Sequence, residues 1–108
     1  MIRPEDADVK SETYLRICVK SWQEQHLQDY KKEIDRSILL GLNHEEFMTW
    51  GNGVRNLGAR NALNQIAEEM RSIGWNVLVQ EDHMYFNIKW SKTTFKWYQK
   101  LFWKEKLV

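Results

Sequence analysis

Between residues 11 and 40, apolar side chains recur at every third or fourth position. Leu15, Val19, Trp22, His26, Tyr30, Ile34 and Ile38 fall on one stripe. That spacing predicts a single long amphipathic helix from Ser11 to about Leu40 with one face turned inward. Asp8 or Ser11 is suited to cap its start, and Gly41 to stop it. Asn43 then stands where its side chain accepts the free amides of a new first turn, with Glu46 three residues on. This pattern predicts a short helix to Trp50. Gly51-Asn52-Gly53 breaks it, and a second substantial helix is expected from Val54 to Ile73. Ala59, Leu63, Ile66, Met70 and Ile73 lie on its buried side, and Gly74 ends it in a left-handed cap.

The period then changes from 3.6 to 2. Trp75-Asn76-Val77-Leu78-Val79-Gln80 and Met84-Tyr85-Phe86-Asn87-Ile88-Lys89-Trp90 are rich in β-branched and aromatic residues, and Glu81-Asp82-His83 joins them as a hairpin. In the second strand Met84, Phe86, Ile88 and Trp90 alternate with polar or amphipathic residues, the pattern of a half-buried sheet. A lone hairpin is marginal in water, so it must pack on the helices. Thr93 or Thr94 is placed to cap a last helix running to about Lys106. The expected fold is therefore a mostly helical α+β domain: long helix, short helix, helix, two-stranded hairpin, C-terminal helix. It occupies residues 11–108, after a frayed leader, 1–10, that holds the only proline, Pro4.

Composition narrows the class. A chain of 108 residues with 43% hydrophobic and 29% charged residues is that of one small globular domain. Six Trp, four Tyr and four Phe supply core area, and such rings also dominate interface hot spots. One cysteine, Cys18, leaves no internal disulfide, which fits a reducing compartment. The polar, acidic first ten residues do not form a secretory signal, and no apolar run approaches the roughly 20 residues of a membrane span, so cytoplasm is the expected location. Net charge is +1 but unevenly spread: residues 1–50 carry 7 Lys/Arg against 10 Asp/Glu, and residues 51–108 carry 9 against 5. A basic C-terminal half suits an anionic partner.

Catalytic signals are missing. Gly53-Val54-Arg55-Asn56-Leu57-Gly58-Ala59-Arg60 has the glycine spacing of a phosphate-binding loop, but Ala59-Arg60 stand where Lys and Ser/Thr are needed. What remains is a turn needing positive φ, with Arg55 and Arg60 near a helix start, where such residues meet anions. The three histidines are scattered. His26 lies on the helical stripe, His44 lacks a second histidine one turn on, and His83 sits at the hairpin tip. No metal, cofactor or nucleophilic site is expected, and Cys18 reads as a small buried hydrophobe.

Two binding readings remain. Phe95, Trp97, Tyr98, Leu101 and Phe102 fall on one half of the expected last helix. Lys96, Lys100, Trp103 and Lys104 fall on the other, where an exposed Trp among lysines predicts a docking surface for a protein partner. A membrane surface suits it less, because the hairpin ties that helix to the fold. Helices followed by a hairpin also resemble the outline of a winged helix. On that analogy the second long helix would read nucleic acid through Arg55, Asn56, Arg60, Asn61 and Gln65. A near-neutral chain is poor electrostatic equipment for nucleic acid, so a non-enzymatic protein-binding regulator, of adaptor or inhibitor type, is the favoured expectation. The long first helix also suits a homodimer.

Overall fold

In a computed structural model that describes residues 1, 3–51 and 53–96 (backbone only for 6–11), the chain forms two helices and three strands. Their order is α1 (Pro4–Leu39), β1 (His44–Met48), α2 (Val54–Ser72), β2 (Asn76–Glu81) and β3 (Tyr85–Ser91). The sheet is antiparallel throughout in the order β1-β3-β2, so the last strand is central. Both helices lie on one face of it, α1 against β1 and α2 against β2. Trp22 meets Gly58 and Lys31 meets Glu69, so the two helices run in the same direction. The mixed helix-and-sheet class agrees with the sequence, and no described helix is long and apolar enough to cross a membrane.

The alternation in β3 orients the sheet. Phe86, Ile88 and Trp90 point inward beside Val77 and Val79 of β2 and Phe47 of β1. They meet Ala59, Ala62, Leu63, Ile66, Ala67 and Met70 of α2, and Tyr30 and Ile34 of α1. The run of small residues on α2 lets the helix approach α1 and the sheet closely. Gly74, with φ of +109°, turns the chain from α2 into β2 as the left-handed cap requires.

Three expectations need correction. The segment read as a short helix, Asn43 to Trp50, is β1 and its flanks. Once β2 occupies one side of β3, the other side carries unpaired backbone groups, and His44–Met48 satisfies them in register with Lys89–Tyr85. Phe47 pairs with Phe86 on the buried face, and this outweighs the capping preference of Asn43 and Glu46. The Trp90 backbone N–H donates to the Asn43 carbonyl, and its indole to that of Leu42, which pins the α1–β1 turn. The hairpin is thus two strands of a three-stranded sheet. Secondly, α1 begins at Pro4 and not at Ser11, with proline in the first turn, where its missing N–H costs nothing. Thirdly, Thr94, Phe95 and Lys96 are not helical, and the rest of the expected C-terminal helix lies outside the described residues.

Candidate functional site

The two helices touch most closely where α2 carries a glycine. A Cβ built on Gly58 would stand 2.6 Å from Trp22 Cβ, 2.9 Å from the Gln23 nitrogen and 3.0 Å from the Val19 carbonyl. This contact fixes how far α1 runs beyond its partner. α1 has 36 residues and α2 has 19, so at ~1.5 Å per residue α1 is about 25 Å longer. Much of that excess precedes the Gly58 crossing. There Tyr14, Leu15 and Ile17 are 69%, 48% and 62% exposed. The stripe predicted to face inward therefore loses its cover at Leu15, because α2 starts too late to reach it.

Beside the crossing lies a groove of about 590 Å³ between the helices. Leu15, Val19 and Leu27 of α1 and Leu57 of α2 form its apolar lining, and Arg16, Lys20 and Glu24 edge it. The Gln23 amide donates to Gln65 Oε1 at 3.3 Å across it. A second, smaller cleft of about 210 Å³ between the C-terminal halves of the helices is bridged by the Lys31–Glu69 ion pair at 2.9 Å. The lysine holds the Glu69 carboxyl below its ordinary pKa.

Close to the same crossing is a cluster of rings. His26 stacks with Trp22 at 5.6 Å, with Tyr30 at 5.1 Å and with Trp50 at 6.4 Å, and Tyr30 stacks on Phe47 at 4.0 Å. The Arg55 guanidinium carbon lies 3.6 Å from the centre of the Trp50 ring and 4.4 Å from that of Trp22. His26 and Arg55 thus share the same two indoles as neighbours. Burial, then the charge of Arg55, lowers the His26 pKa below its ordinary value, while the Asp29 carboxylate opposes them. Burial also raises the Tyr30 phenol, against the Trp50 indole and Arg55.

Of the residues expected to read nucleic acid, Arg60 and Gln65 are bonded within the fold and Arg55 is packed against rings. Arg55 is held between indoles, and Arg60 forms a 2.6 Å bond with Glu81 at the end of β2. Gln65 meets Gln23, and Asn56 and Asn61 are half-buried. Of the expected protein-docking residues, Lys96 is exposed on the stretch after β3, whereas Lys100, Trp103 and Lys104 lie outside the described residues. His44 and His83 are exposed and far apart in the sheet, and among the described residues no three His, Cys, Asp or Glu side chains are placed to share a metal. The sequence reading missed the groove and the Trp22–Arg55–Trp50 stack. Both depend on the helix crossing and on β1 delivering Trp50, for which no local signal exists. No family model, curated protein or solved structure matches this chain.

Proposed function

We propose that this protein is a non-enzymatic protein-binding module, of adaptor or inhibitor type, whose docking surface is the groove between α1 and α2. The observation that carries this reading is the groove itself. Leu15, Val19, Leu27 and Leu57 line one continuous open channel, and Tyr14 and Ile17 extend exposed apolar surface along the projecting helix. A groove of this kind takes the apolar face of an amphipathic helix. Arg16 and Lys20 against Glu24 leave its edge net positive, which favours a helix with carboxylates flanking its apolar stripe. The nucleic-acid alternative is less well supported, because base reading needs extended, exposed side chains, whereas Arg55 packs against two indoles and Arg60 and Gln65 are bonded to Glu81 and Gln23.

The test is a pair of substitutions, Leu15→Asp and Leu57→Asp, each at a position that is already partly solvent-exposed. Each variant should keep the thermal stability of the parent, since neither residue is in the core. Each should lose the partner that co-purifies with the tagged parent chain from its source cell. Retention of that partner by both variants would refute the docking site. A partner that proves to be a second copy of the chain would show as a doubled mass in light scattering, reduced to the monomer mass by either substitution.

A further inference from the structure

The start of α2 has features that the groove does not explain. Its N-cap is Gly53, which offers no side chain, and its first turn contains no acidic residue. Neither the N-cap side chain nor an acid of the first turn therefore compensates the amides of that turn and the positive end of the helix dipole. Arg55 adds a full positive charge at the same place. Two indoles lie within 4.4 Å of its guanidinium carbon, but stacking leaves the N–H donors of a guanidinium, which lie in its plane, still in need of acceptors. No carboxylate pairs with it among the described residues, and its Nε is buried without a hydrogen-bond partner. Two positive features side by side with no anion are electrostatically unfavourable.

A further unpartnered atom lies in the same cluster. His26 is only 4% exposed, and its Nε2 has no hydrogen-bond partner. Its ring adjoins both indoles that hold Arg55. Asn56 follows Arg55 in the first turn of α2, so a charge placed there acts on the same helix start. Buried polar atoms are normally satisfied, so orphans on Arg55 and on the histidine beside the same two indoles mark a place where a ligand supplies the missing partner. Trp50 covers the cluster while remaining 41% exposed. It follows the end of β1 and precedes Gly51 and Gly53, whose φ values of +66° and +89° favour glycine.

We propose that Trp22, His26, Trp50 and Arg55, with the first amides of α2, form a binding site for a phosphate-type oxyanion. Arg55 supplies in-plane donors and charge, the helix start supplies amides, and neutral His26 supplies an N–H. This site is separate from the groove and does not depend on the docking reading.

The full chain would be titrated with inorganic phosphate and, separately, with phenyl phosphate, against chloride at matched ionic strength, following tryptophan fluorescence and thermal unfolding. Expected is a saturable fluorescence change, with the folded-to-unfolded ratio raised about tenfold at ten times Kd. Arg55→Met should weaken binding by at least about tenfold. Because Arg55 also packs between rings, Asn56→Asp is the decisive variant. A carboxylate in the first turn suits the helix dipole, so the variant folds at least as stably as the parent, yet it repels the oxyanion and should abolish the response. Leu15→Asp should leave the response intact. Tighter binding of the free ion, or of the ester, would each support the site and identify which form it prefers. No response to either, a response matched by chloride, or an undiminished response in Asn56→Asp would overturn the proposal.

Discussion

Gly58→Ala is the substitution that most directly probes the helix crossing. The added methyl would meet Trp22 Cβ at 2.6 Å and the Gln23 nitrogen at 2.9 Å, with the Val19 carbonyl at 3.0 Å. None of these atoms belongs to the flexible end of a side chain, so the helices themselves must move apart. Overpacking of this kind costs about 1–3 kcal/mol, and main-chain neighbours place it in the upper half of that range. Replacing a mid-helix glycine by alanine returns about 1 kcal/mol. The expected net loss is about 1–2 kcal/mol. At roughly 4–8 °C per kcal/mol for a domain of this size, Tm falls by about 5–15 °C. Circular dichroism during thermal and urea unfolding measures both quantities. Trp22→Ala in the same chain should not rescue the loss, since alanine keeps the offending Cβ. A Gly58→Ala protein as stable as the parent, or more so, would refute the close crossing and with it the geometry of the groove.

The other predictions concern the core, the ion pair and pH. Phe86→Ala removes a fully buried ring at the centre of the sheet and should cost about 3–5 kcal/mol, enough to leave much of the chain unfolded by far-ultraviolet circular dichroism at 37 °C. Glu81→Gln breaks the charge pairing with Arg60, which is partly open to solvent, and should lower stability by less than about 1 kcal/mol in a urea titration. His26 titrates below its ordinary value in the folded chain, so the unfolded chain binds its proton more readily. Its contribution is complete above about pH 6.5 and is lost as pH falls below that towards the folded-state pKa. Urea midpoints of the parent should therefore fall between about pH 7 and about pH 5 more steeply than those of His26→Gln, and parallel curves would contradict this.

The parts of the fold that were legible in the sequence are those with a strong local period. The β2–β3 hairpin was readable because Phe86, Ile88 and Trp90 alternate over seven residues and only one packing face suits them. The helix from Val54 lies within one residue of its expected end, and Gly74 terminates it as read. By contrast β1 buries one side chain fully, Phe47, in a burial pattern too sparse to read, and its identity as a strand comes from the free edge of β3. The stripe on α1 correctly placed His26, Tyr30 and Ile34 in the core, but its uncovering at Leu15 depends on where α2 begins. Arg55 was singled out as an anion contact for its place at a helix start. Its two indole neighbours come from α1 and from the end of β1, and no spacing rule links residues 22, 50 and 55.

Site-resolved photo-crosslinking in the source cell would show whether the groove between α1 and α2 holds a partner. A photoreactive phenylalanine analogue at Leu57 places the probe inside the groove, and the same analogue at Lys92, exposed beyond β3, serves as the remote control. Expected is one discrete adduct from position 57, absent from position 92 and lost when Leu15→Asp is added. The same adducts from both positions, or none from position 57, would contradict docking in the groove.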